Sequence, residues 1–178
     1  NIILQRMSKT RSGIRMQFEK LLDESADASN LLLQGAVCGP AEQAQLLREV
    51  LGLANAAGRG PRHILFGVSH DNNRLKYSKL SESDLKVLET YPDLIARFIE
   101  PPLSVEAIIG TAHGHLIAAL SINYSEDPPY IIKMDASRDL RRGDCWVREG
   151  GVCRPSQRAD FDRMYRNTAE GRPATCKR

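Results

Sequence analysis

The chain has 178 residues, of which 42% are apolar and 26% charged, the proportions of one ordinary globular domain; collagen-like, mucin-like and globally disordered classes are excluded. No apolar run approaches the roughly 18 residues that span a bilayer, and the stretch from Asn1 to Arg6 is too short for a secretory signal, so a soluble, cytoplasmic protein without a membrane partner is expected. The net charge of +3 hides a polarity: residues 1–22 carry +4 and residues 138–178 carry +5, while the middle carries −6.

In chain order, Ile14, Phe18, Leu21 and Leu22 recur at helical spacing and predict a helix over residues 13–24, an N-terminal helical arm covering residues 1–24. Leu31-Leu32-Leu33 opens a strand reaching about Val37. Gly39-Pro40 starts the main helix, with Ala44, Leu47, Leu51 and Ala54 on one face until Gly58. The continuous apolar run from His63 to Val68 predicts a central strand covered on both faces. Residues 69–79 are polar and read as a loop. Ser81 with Asp84 resembles a capping box, and Pro92 divides the following region into two short helices.

After Pro101-Pro102 the period changes to that of strands, over Leu103–Ile109, His115–Ile122 and Tyr130–Met134, the first two joined as a hairpin at His113-Gly114. A second hairpin spans 144–148 and 152–154 and turns at Gly150-Gly151. Ser156 is expected to cap a last helix carrying Phe161, Met164 and Tyr165, leaving residues 169–178 as a loose tail. This mixture is an α+β domain over residues 25–168, with a mixed, mostly antiparallel sheet flanked by helices.

Cys38, Cys145, Cys153 and Cys176 form no CxxC pair, which suits reduced thiols. His113 and His115 have the spacing of a metal half-site but are read as turn residues, and no metal is assigned. The first residue is Asn rather than Met, so the sequence reads as part of a longer polypeptide with further domains.

Three segments in order resemble one family. Leu53-Ala54-Asn55-Ala56-Ala57-Gly58 followed by Ile64-Leu65-Phe66-Gly67-Val68 is similar to a helix ending in "FANTxGG" and a strand ending in "GV". Ile99 with Pro101 and Pro102 precedes a hairpin. Tyr130-Ile131-Ile132-Lys133 leads to Trp146-Val147-Arg148-Glu149-Gly150 and Arg154-Pro155-Ser156, similar to "YYIRxGSxTxxA" before a closing helix. Across about residues 25–166 the chain resembles the Schlafen AlbA-type domain, a module associated with nucleic acids in many bacterial proteins and in animal Schlafens.

The resemblance implies an AlbA-like α+β fold and DNA or RNA as partner. Family members with ribonuclease activity are implied to use an acidic pair in an "ExxxxEFK" segment and an Asp after the "GV" strand, because several carboxylates must hold Mg or Mn beside a scissile phosphate. Here Asp27 stands for the first acid, but Leu32 replaces the second, Gln34 the lysine, and Ser69 the Asp; Asp71 lies two residues further. Asp27, Ser69 and Asp71 are therefore the only catalytic candidates, and a non-catalytic module needing no cofactor is expected.

What remains is electrostatic. Arg59, Arg62, Arg138, Arg141, Arg142, Arg148, Arg154 and Arg158 are the candidate phosphate-binding residues, because guanidinium forks match phosphate oxygens. Asp135, Asp139, Asp144 and Glu149 interleave with them and offer the competing reading of surface ion pairs. Trp146 offers either a stacking face for an unpaired base or a core anchor. The expected function is a nucleic-acid-binding module of a longer bacterial regulatory or phage-defence protein. The alternatives are a divergent metal-dependent endoribonuclease and a protein-interaction or assembly module, including one that self-associates. No GxxxxGK[ST] phosphate loop is present, which sets ATP aside.

Overall fold

The computed structural model describes residues 18–23, 30–58, 60–72, 74–123 and 127–171. Residues 18–23 are helical (α1). They are followed by β1 (Leu31–Gln34), a 3-10 turn (Pro40–Glu42), α2 (Gln43–Ala54), β2 (Arg62–Phe66), β3 (Val68–Asp71) and β4 (Arg74–Tyr77). Next come α3 (Glu82–Glu89), α4 (Tyr91–Phe98), β5 (Ile99–Glu100), β6 (Val105–Ala112), β7 (His115–Ile122) and β8 (Ile131–Ile132). The chain continues through β9 (Trp146–Glu149), β10 (Val152–Pro155) and α5 (Arg158–Gly171).

The main sheet has four strands in the order β1-β2-β7-β6. β1 and β2 are parallel and joined through α2, as a parallel pair requires, while β2–β7 and β6–β7 are antiparallel. The fold is therefore α+β with a mixed, mostly antiparallel sheet, as the sequence predicts. Strand alternation sorts the side chains into two apolar layers. Ile64, Phe66, Ala118, Leu120 and Ile122 join α2, α3 and α4 in the larger cluster. Leu65, Ile117 and Ala119 point the other way, onto Phe18 and Leu22 of α1. This two-sided cover is why β2 is buried along its whole length.

Local chemistry sets the helix boundaries. The Glu42 carboxylate accepts the Gly39 N–H at 3.0 Å, and Pro40 occupies the first turn. Ser81 and Asp84 form the expected reciprocal box at the start of α3, and Pro92 sits in the first turn of α4. Gly52 lets β10 approach α2: a Cβ there would lie 2.5 Å from Cys153 Sγ. Gly52→Ala is expected to cost about 1–3 kcal/mol by overpacking, read as a lowered urea midpoint. Adding Cys153→Ala should restore most of that loss, and a double variant no more stable than Gly52→Ala refutes this account.

Several boundaries differ from the sequence-based expectation. Residues 69–79 are not a loop: β3 and β4 form a hairpin with Asp71 opposite Arg74, closed by Asn72 in the left-handed region at φ 49°. β4 alternates Arg74 and Lys76 with Leu75 and Tyr77, which pack on the smaller apolar cluster. Two periods in a four-residue strand are a short signal among polar neighbours, and Asn tolerates the left-handed turn. The strand from Leu31 stops at Gln34, and the one at Tyr130 shrinks to Ile131–Ile132, paired with Ile99–Glu100. Ser156 does not cap α5. Its hydroxyl donates to Cys145 Sγ at 3.2 Å, while the Asp160 carboxylate accepts the Gln157 N–H at 2.8 Å. The predicted helical residues 13–17 and the tail from 172 lie outside the described residues.

Candidate nucleic-acid interface

The segment from Lys133 to Gly143 links β8 to β9 and is held at its neck. The Ile132 N–H donates to Asp144 O at 2.9 Å and the Gly143 N–H returns to Ile132 O at 2.8 Å. Leu140 is fully buried and pins the middle of the segment into the larger core. Asp144 N–H donates to Arg141 O at 3.0 Å across a tight turn in which Gly143 takes φ 89°, a value suited to glycine. Two of the three aspartates face the backbone here: Asp135 accepts the Arg142 N–H at 2.8 Å and Asp144 the Arg141 N–H at 2.7 Å, while Asp139 is exposed.

That use of the carboxylates leaves the cations outward. Arg138, Arg141, Arg142 and Lys133 are all exposed. The Arg141 Nε–H donates to Arg138 O at 3.1 Å, which fixes the turn and leaves the terminal nitrogens of the fork outward. Among the described residues, the Arg138 and Arg142 guanidiniums form no ion pair. Arg48 of α2 extends the surface: its Nη2 donates to Asp139 O at 2.8 Å, and its guanidinium lies 5.1 Å from the centre of the Trp146 ring. Trp146 is thus half-buried, packed against the larger core and with Arg48 over its ring.

The remaining predicted arginines are placed elsewhere. Arg62 is 3% exposed and its Nη2 donates to Ala56 O and Gly58 O, both at 2.9 Å, which ties the exit of α2 to β2. Arg148 is buried and pairs with Glu49 at 3.3 Å; burial is the main cause raising the Glu49 carboxyl, and Arg148 opposes it. Arg154 is clasped between Glu149 at 2.6 Å and Asp160 at 2.7 Å. Arg158 is exposed on α5, 3.9 Å from Asp162. Arg59 lies outside the described residues. The eight arginines therefore do not line one trough: three share the loop, and three serve internal contacts. Sequence reasoning missed Arg48 and Lys133 as members of this surface, because Arg48 stands inside the apolar pattern of α2 and carries no local motif.

Hydrogen bonding from Arg154 is the leading cause holding the Asp160 carboxyl below the usual aspartate range. A depressed folded value stabilises the protein above the unfolded aspartate value of about 3.9 and loses that contribution as pH falls through the folded value. Asp160→Asn should therefore flatten the fall in urea midpoint below about pH 4; parallel curves for the two proteins would show that this clasp does not couple to folding.

The catalytic candidates fall at the β1/β3 side of the fold. Leu32 packs into the larger core, Gln34 Oε1 faces the Cys38 thiol at 3.6 Å, and Ser69 is half-buried beside Gly35. Asp71 is exposed at the end of β3, where Asn72 Nδ2 donates to it at 3.1 Å. Asp27 lies outside the described residues. Among the described residues, no three His, Cys, Asp or Glu side chains form a group that could hold a metal ion, and no helix is long and apolar enough to cross a membrane.

The family model described as "Schlafen, AlbA_2" matches residues 24–157. Among solved structures, the DIP2311 protein of Corynebacterium diphtheriae is similar over 85% of this chain, at 20% identity and a TM-score of 0.52, which supports the fold. This chain spans 31% of that one. The N-terminal domain of a RecG-related protein from Nitrosomonas europaea matches over 79% of this chain and 91% of its own, at 17% identity and a TM-score of 0.49. No curated protein matches.

Proposed function

Since the chain belongs to the Schlafen AlbA_2 family, we propose that it is a nucleic-acid-binding module without catalysis of its own, acting in the cytoplasm within a longer bacterial regulatory or defence protein. The observation that carries this reading is the loop Lys133–Gly143, where Asp135 accepts the Arg142 N–H and Asp144, just beyond it, the Arg141 N–H, while Arg138, Arg141 and Arg142 stay exposed. Guanidiniums held on a pinned loop meet phosphate oxygens in a fixed spacing, and contacts to phosphate set affinity and register without reading sequence. With Arg48 over Trp146, this reading rests on phosphate contacts and not on base stacking. Leu32, Gln34 and Ser69, in the places where nuclease members are implied to carry acids and a lysine, support a module that binds and does not cut.

Titration of a labelled duplex and of a labelled single strand tests the reading. Affinity should be sequence-independent and should fall as a power of salt concentration, with a slope of about −0.9 per phosphate contact on duplex DNA. Salt-insensitive or absent binding to both DNA and RNA overturns it. Cleavage of tRNA in Mg2+ or Mn2+ that is lost on Asp71→Asn would replace it with the nuclease reading.

A further inference from the structure

The geometry points to β6 as the site at which two copies of this chain pair, edge to edge, into one continuous sheet. β6 is the outer strand of the β1-β2-β7-β6 sheet, and its eight residues pair with β7 without interruption from Val105–Ile122 to Ala112–His115. In an antiparallel pair alternate residues turn their N–H and C=O groups away from the partner strand. Half of β6 therefore presents a row of donors and acceptors outward, and among the described residues no backbone group of 106–112 bonds beyond β7.

The side chains carry the same sign of incompleteness. Val105, Ala107 and Ile109 belong to the larger apolar layer and Ile108 to the smaller, yet each remains partly exposed. On the adjacent strand, Ile117–Leu120 and Ile122 are fully buried in the same two layers. One further strand would close both layers at once. α3 and α4 pack against β6, but the strand itself carries none of the protections an edge can build into its sequence: it has no Pro, Lys or Arg, no bulge, and one charge in eight residues, Glu106. The opposite edge, β1, has only four residues and lies beside β3.

A second copy fits this edge by its own symmetry. A two-fold antiparallel pairing must set outward residues against outward residues, so residues of equal parity face each other. Of these registers, two centre on an isoleucine: Ile108 opposite Ile108 of the second copy, with Glu106 opposite Gly110, and Ile109 opposite Ile109, with Glu106 opposite Ala112. Both registers join isoleucines and keep the single carboxylate away from its own copy.

Sedimentation equilibrium of the 178-residue chain between roughly 1 μM and 1 mM tests this. The expected result is a mass rising towards two chains. Thr111→Lys, at a partly exposed polar position, should weaken the dimer at least about tenfold with an unchanged circular dichroism spectrum, because lysine on an edge opposes pairing. Ile108→Lys should do the same wherever it folds; if it unfolds, Thr111→Lys decides. A one-chain mass throughout overturns the proposal. So does a dimer that neither substitution weakens, which would use another surface, and so does slow exchange, in a monomer, of the alternate amides of 105–112 that turn away from β7, which would mean that this chain covers its own edge.

Discussion

Asn55→Ala is expected to cost about 3–5 kcal/mol of folding stability, a large share of the 5–15 kcal/mol typical of a domain. Asn55 is 2% exposed at the end of α2 and makes three short bonds to strands far away in sequence. Its Nδ2 donates to Tyr130 O at 2.8 Å and to Trp146 O at 2.9 Å, and its Oδ1 accepts the Tyr130 N–H at 2.8 Å. Alanine removes all three bonds inside the core, where no water replaces them. Asn55→Asp keeps the acceptor but sets a carboxylate against two carbonyls, so it should be no better tolerated than alanine. Because Tyr130 and Trp146 flank the basic loop, the loss should also speed amide exchange at Ile132 and Gly143, which close its neck. A urea-derived loss below about 1 kcal/mol would show that Asn55 is not the tie described here.

The combined variant Arg138→Gln, Arg141→Gln, Arg142→Gln should weaken duplex binding by roughly 10²–10³-fold at about 0.1 M salt, and should lower the salt slope by about 2.7. Each arginine is exposed, so stability should move little. Arg148→Gln offers the contrast: it breaks the buried pair with Glu49, and removing one partner of such a pair typically costs about 3–5 kcal/mol. Its defect should therefore appear in the urea midpoint, with the salt slope of the folded protein unchanged. An unchanged slope in the triple variant would remove the loop as the interface, and a lower slope in Arg148→Gln would show that the buried arginine reaches phosphate.

Much of the fold was legible because its signals are local. Gly39-Pro40, the Ser81–Asp84 box, Pro92 and the His113-Gly114 turn each act within a few residues, and each stands where the sequence places it. The continuous apolar run at β2 announced a strand covered on both faces. The β3–β4 hairpin was not legible, since the alternation of Leu75 and Tyr77 spans only four residues within a polar stretch and its turn includes a left-handed asparagine, Asn72. The cap of α5 was misplaced by one residue for a related reason: Ser156 and Gln157 are both polar, and only packing against Cys145 draws the serine hydroxyl away from the helix.

The basic surface divides in the same way. From the sequence alone came the family, the order of the elements outside the β3–β4 hairpin and the set of arginines near β8, β9 and α5, all of which follow from neighbours along the chain. Only the tertiary structure decided which of those cations face outward. Arg148 is consumed by Glu49, 99 residues away, and Arg48 is brought onto the loop by Asp139 O, 91 residues away. A guanidinium that is buried or clasped by a carboxylate in three dimensions is lost to phosphate, and no pattern within a few residues encodes that distance.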